Sequence, residues 1–332
     1  MAFTAKDVMT LREMSGAGMM DCKKALTECD GDMDKALDFL REKSLAASAK
    51  KALRIAAEGI VDCLVCDKCG VGVIVEVNCE TDFVAKNEDF VKLAHEICDL
   101  AIANKPADLD ALKNLPFKNG KNVEGIITEQ IGIIGEKLEL ACFESLSGEA
   151  VYSYIHMGNK LATLVSFNKA GVDPQVYKDV AMQVAAMNPV SVSKDDVPAS
   201  VIENEMTVAI EKTKEEQIQK AVEAALKKAG INPAHVDSDE HISSNTEKGW
   251  ITPEQAAQAR EIKAKVSVEA AANLKEQMIQ NIAQGRMNKF FKESTLLNQA
   301  FIKDSKVSVE QMMNAAEKGL TAVAFKRYAL KD

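Results

Sequence analysis

Few residues in this sequence have the types and spacing that chemistry needs. Cys63, Cys66 and Cys69 stand in a C-x2-C-x2-C array, a spacing used by thiolate-ligated metals and iron–sulfur clusters. The fourth cluster ligand would fall on Val73. The three cysteines also lie on a predicted hairpin, where alternation sends Cys63 and Cys66 to opposite faces. Asp237, Asp239 and Glu240 form an acidic run, but it lacks the glycine and distal glutamate of a calcium-binding loop. It reads as a solvated loop. No Gly-rich phosphate loop, G-x-S-x-G or H-E-x-x-H pattern occurs. The sequence therefore predicts no metal, no cofactor and no nucleotide bound by the chain itself.

Thr81-Asp82-Phe83 offers a different chemistry, that of displacement by contact. Thr81 follows a predicted strand and is a good helix N-cap. Asp82 and Phe83 then fall in an exposed first turn. An aromatic there is a binding hot spot if a partner buries it. On spacing alone, Phe83 reads equally as a core anchor and Asp82 as a residue that complements the helix dipole.

The elements that must position these residues follow from periodicity. Thr4 to Asp7 makes a capping-box-like start, and Val8 and Leu11 continue at helical spacing. Ser15 to Gly18 breaks that helix. A second runs from Met19 to Cys29, and a third carries Met33, Ala36, Leu37 and Leu40 inward. Residues 44–58 read as a separate connecting helix. The β-branched runs Ile60 to Val65 and Gly72 to Val77 predict a hairpin, and a helix follows over 88–103. Strands over 150–156 and 161–167, then a helix opened by Pro174, repeat that order. Residues 198–284 read as two long antiparallel helices joined by a polar loop. Thr252-Pro253-Glu254-Gln255 starts the second and Gly285 ends it. A helix near 308–318 and a strand over 321–328 follow.

Composition limits what such a chain can do. Its 332 residues are 47% apolar and 27% charged, with a net charge of −9. That is ordinary for a globular protein, and it argues against binding nucleic acid through phosphate neutralisation. No apolar run approaches the length needed to span a bilayer, and no signal pattern opens the chain. A cytoplasmic protein with eight cysteines is expected to keep them as thiols. With no membrane or nucleic-acid partner expected, a protein partner or a small molecule remains.

Three segments carry a family resemblance. They are Leu11 to Leu26, with Gly16-Ala17-Gly18-Met19-Met20-Asp21-Cys22-Lys23-Lys24; Glu76 to Asn87, with Asn78-Cys79-Glu80-Thr81-Asp82-Phe83-Val84; and Gly285-Arg286-Met287-Asn288-Lys289-Phe290. Together they resemble the signatures of elongation factor Ts proteins, non-enzymatic guanine nucleotide exchange factors of translation. The resemblance implies an α+β fold with an N-terminal three-helix domain of ubiquitin-associated type. It also implies two similar α+β subdomains with small antiparallel sheets, and an inserted helical hairpin. The expected boundaries are 1–56, 57–140, 141–197 plus 286–332, and 198–285.

The implied partner is the GTPase elongation factor Tu, whose GDP is released when the site for Mg²⁺ and phosphate is disturbed. By resemblance, Phe83 wedges beside that site with Asp82 hydrogen-bonding next to it, flanked by Thr81 and Val84. Met19, Met20 and Lys23 pack on a partner helix near the guanine-base pocket. Because adjacent helical residues point differently, one methionine is expected in the core and Met20 outside. His156 would meet a further partner domain. The span 212–268 is longer than the family's usual hairpin, which leaves room for a homodimer through it. A thiol-ligated metal protein and a non-catalytic adaptor for ubiquitin-like partners are the rival readings.

Overall fold

A computed structural model describes residues 3–156 and 158–330. The helices are α1 (Ala5–Ser15), α2 (Met19–Glu28), α3 (Met33–Lys51), α4 (Asp82–Ala85), α5 (Glu88–Asn104), α6 (Leu109–Asn114), α7 (Val123–Ile134), α8 (Pro174–Met187), α9 (Ala199–Lys228), α10 (Asp239–Glu247), α11 (Pro253–Ala272), α12 (Glu276–Ser294) and α13 (Val309–Ala316). The strands are β1 (Glu58–Cys66), β2 (Val71–Cys79), β3 (Glu139–Ser147), β4 (Ala150–Ile155), β5 (Leu161–Phe167), β6 (Ala300–Phe301), β7 (Asp304–Ser308) and β8 (Ala322–Ala329). The fold is α+β. It divides into two units, residues 1–192 with 299–332, and residues 193–298.

In the first unit α1, α2 and α3 close a small core of Leu11, Cys22, Ala25, Leu26, Ala36 and Leu40. Thr4 caps α1 as expected: its hydroxyl accepts from the Asp7 N–H at 3.3 Å, and Asp7 returns a bond to the Thr4 N–H at 2.7 Å. The separate connecting helix does not exist. α3 runs unbroken to Lys51, because residues 41–51 contain neither glycine nor proline and Leu and Ala favour continuation.

Two three-stranded antiparallel sheets follow, ordered β1-β2-β3 and β4-β5-β8. Alternation decides what each face buries. Ile60, Val73, Val75 and Val77 pack under α5 and α7, with Phe90, Ile97, Ile127 and Leu140. Val61, Cys63 and Ile74 face the other way, against Val151, Ala162 and Leu164 of the second sheet. α8 covers the second sheet's outer side, where the Thr163 hydroxyl donates to the Ala181 carbonyl at 3.0 Å and Phe167 meets Tyr177 with ring centroids 4.5 Å apart. The strand pairs read from sequence are present. β3 and β8 complete them, and β3 was not foreseen.

The cysteines follow from this layering. Cys63 lies between the sheets and burial pushes its thiol from 9.0 up to about 12. Cys98, in α5, is pushed up for the same reason. Cys66 and Cys69 depart from the all-thiol expectation. They are joined as a disulfide across the β1–β2 turn, which holds their Cα atoms 5.3 Å apart, within the span such a bond bridges. Iodoacetamide at pH 8 should leave Cys63 and Cys98 unlabelled until denaturant is added, as peptide mass spectrometry would read. The sign in alkali is also fixed. Above pH 9.0 the unfolded Cys63 thiol loses its proton while the folded one keeps it until about pH 12. Stability therefore falls as pH rises through that window, and Cys63→Val should reduce the fall.

The second unit is more than two helices and a loop. α9, α11 and α12 are its long helices. At one end Val222, Leu226, Ile231, Val236, Ile242 and Ile251 form a separate core. The acidic run expected as a loop starts a helix instead: Ser238 caps α10, accepting from the His241 N–H at 3.1 Å, and Asp239 and Glu240 fill the first turn. Acidic residues belong there because they complement the exposed amide groups. The second long helix also breaks at Asn273 rather than at Gly285, which sits inside α12.

Candidate partner-binding site

The turn that joins β2 to α4 carries the residues singled out in the sequence. Thr81 has extended backbone angles and caps α4, accepting from the Val84 N–H at 3.4 Å. Asp82 and Phe83 then occupy the first helical turn. Ala85 is buried and points the short helix at the core. Phe83 points away from it and is 84% exposed. The core-anchor alternative for Phe83 is therefore excluded. Asp82 pairs with Lys86 at 2.6 Å, one helical turn on. The Lys86 ammonium holds its carboxyl below the usual carboxylate range, so Asp82 is an anion at neutral pH.

Residues outside the motif hold this turn. The Glu136 carboxylate accepts from the Glu80 N–H at 3.1 Å, from the Thr81 N–H at 3.0 Å and from the Thr81 hydroxyl at 2.7 Å. The Glu80 carboxylate accepts in turn from the Lys137 N–H at 2.6 Å and pairs with Arg54 at 3.3 Å. Gly135, left-handed at φ 85°, ends α7 and delivers Glu136 to the turn. Sequence reasoning missed Glu136, because it lies between helix α7 and strand β3, neither of which was foreseen.

His156 follows β4. It is exposed, and its Nδ1 lies 3.0 Å from the Tyr154 hydroxyl. Its loop reaches β1, where Asn159 O accepts from the Val61 N–H at 2.7 Å. Lys160 of the same loop pairs with Glu58 at 2.8 Å, and its charge acts on Asp82. The structure thus brings the His156 loop and the Asp82 turn to the same end of β1.

Met19, Met20 and Lys23 begin α2, in the helical bundle. Met20 is 75% exposed and Lys23 is also at the surface. Met19 was expected in the core but is 45% exposed. Cys22, Ala25 and Leu26 already fill the buried face of α2, so the helix start has no core to enter. Among the described residues no three His, Cys, Asp or Glu side chains form a metal-ligating group.

A family model described as elongation factor TS matches residues 80–332. Curated elongation factor Ts proteins match the whole chain. That of Bacteroides thetaiotaomicron is 54% identical, with 100% of this chain and 99% of the relative covered. That of Parabacteroides distasonis is 52% identical over the same shares. That of Amoebophilus asiaticus is 41% identical over 98% of each.

The chain belongs to the elongation factor Ts family. It is accordingly a translation elongation factor, and the resemblance seen in its three motifs is established. In this chain the family model begins at Glu80, the residue tied to Arg54 and Lys137 at the base of the Phe83 turn. The N-terminal bundle lies outside that match and inside the full-length ones. No helix among the described residues is long and apolar enough to cross a membrane.

Proposed function

We propose that this factor binds elongation factor Tu carrying GDP and promotes GDP release, acting in the cytoplasm without covalent chemistry and without holding a nucleotide itself. An exchange factor needs only differential binding. It must prefer the nucleotide-free partner, and linkage then weakens the nucleotide by the same factor. GTPases of this kind hold nucleotide through a phosphate loop and Mg²⁺, so a wedge pressed beside that site is an effective lever.

One observation carries this reading: Phe83 is an aromatic left 84% exposed on a turn whose backbone is fixed by neighbouring carboxylates. An unpartnered aromatic on a braced turn has the character of an interface hot spot. Asp82 stands beside it as a charged hydrogen-bond acceptor, with Thr81 and Val84 framing the turn. Met19, Met20 and Lys23 supply a second contact. Methionine pairs suit an adaptable helix-packing surface, and both are exposed here. His156 supplies a third.

The deciding measurement is release of a fluorescent GDP analogue from elongation factor Tu. Substoichiometric factor should accelerate release, with each molecule acting many times. Release at the spontaneous rate would refute the proposal.

A further inference from the structure

The antiparallel register of β2 and β3 pairs Val77 with Leu140 and Asn78 with Glu139. The strands end there, at Cys79 and Glu139. Continued past their ends, the same register sets Glu80 across from Lys137 and Thr81 across from Glu136. Backbone pairing has stopped, and side chains take over the ladder. Glu136 accepts the two amide N–H groups of Glu80 and Thr81 and the Thr81 hydroxyl, at 3.1, 3.0 and 2.7 Å. Glu80 answers by accepting the Lys137 N–H at 2.6 Å. The two glutamates form a reciprocal clasp between chain segments more than fifty residues apart.

From this clasp we infer that Glu136 is a positioning residue for nucleotide exchange: it sets the Phe83 wedge in its working orientation before the partner arrives. The inference rests on Phe83 being the displacing group. The Thr81 hydroxyl is the link. It donates to Glu136 and accepts from the Val84 N–H, so the carboxylate fixes the rotor that caps α4. A charged acceptor of three hydrogen bonds is stronger than a neutral one. Without it, the turn after Cys79 loses its outer brace. Ordering that backbone then falls on the insertion step, and a flexible wedge transmits less of its contact to the partner. Arg54 adds a second tie by pairing with Glu80 at 3.3 Å, which fastens the segment after α3 to the base of the same turn.

The test is a double-mutant cycle read as the maximal rate of fluorescent-GDP release at saturating factor. Glu136→Ala should lower that rate about tenfold, with circular dichroism unchanged. Glu136→Gln keeps a carbonyl oxygen for the two amide N–H groups and loses the acceptor for the Thr81 hydroxyl, so its rate should lie between. In a Phe83→Ala background, Glu136→Ala should have no further effect, since the brace then has no wedge to hold. A general structural role would give an additive loss in that background, and additivity overturns the inference. So does an unchanged rate for Glu136→Ala when Phe83→Ala alone is slow. If Phe83→Ala itself exchanges normally, the proposed wedge falls first, and the positioning role with it.

Discussion

Replacing Phe83 by alanine is expected to slow GDP release from elongation factor Tu by about 30-fold or more while leaving the melting temperature of the factor unchanged. The rate follows from the class of contact: truncating a central aromatic anchor costs about 2 kcal/mol or more, and each 1.4 kcal/mol is about tenfold. The unchanged stability follows from the geometry. Phe83 is 84% exposed, so removing its ring opens no cavity, and surface substitutions of that kind shift stability by at most about 0.5 kcal/mol. The helix remains capped, because Thr81 and Glu136 bond to backbone and hydroxyl groups that the substitution leaves in place. The loss should appear in the maximal release rate rather than in the factor concentration at half-saturation, since a wedge acts when nucleotide leaves. The two measurements are stopped-flow release across a factor titration and scanning calorimetry. Normal release would remove Phe83 from the mechanism, and a lowered melting temperature would make it structural.

How much of this could be read beforehand depended on the range of the interactions. Thr4, Thr81 and Thr252 each cap a helix through contacts three residues away, and all three were legible. The β1–β2 hairpin was legible too, since its β-branched runs are buried on both faces and its turn is local. β3 was not. Its residues, Glu139 to Ser147, alternate imperfectly, and a register shift against β2 between Glu76 and Val77 disturbs the pattern further. With β3 unseen, no reasoning could place Glu136 beside Thr81. Met19 failed for another reason. A helix start followed by a filled core face exposes whatever comes first, and apolar character alone does not say which residues a small bundle has room to bury. Gly285 misled because glycine ends helices often, but only where the chain then turns. Inside α12 a side chain at this position would meet nothing within 4 Å, and the glycine costs the helix about 1 kcal/mol without breaking it.

Gly132→Val should uncouple the N-terminal bundle from the sheet-and-helix body that carries Phe83. Gly132 lies on α7, where α3 crosses it. A Cβ there would stand 2.2 Å from Ser44 Oγ, 2.9 Å from Ser44 Cβ and 3.2 Å from Ser44 Cα. A hydroxyl can rotate away, but the Cα is backbone, so even a methyl group forces α3 outward. Overpacking of this kind costs about 1–3 kcal/mol. The neighbouring tie, from the Lys51 ammonium to the Ile131 carbonyl at 3.3 Å, is a single part-buried hydrogen bond, worth about 1 kcal/mol and offsetting only part of such a push. The bundle keeps its own core of Leu11, Cys22, Leu26 and Leu40, so it stays folded while its attachment loosens. Amides of α3 facing α7 should then exchange hydrogen faster, and proteases should cut between residues 51 and 58. The Phe83 turn is braced by the three hydrogen bonds to Glu136, with the exposed Arg54–Glu80 pair after α3 only a secondary tie, so maximal GDP release should hold. The contact through Met20 and Lys23 should become less effective, raising the half-saturating factor concentration about tenfold. That is the reverse of the Phe83→Ala signature. If Gly132→Val lowers the maximal rate instead, the bundle takes part in displacement itself and does more than hold the partner in place.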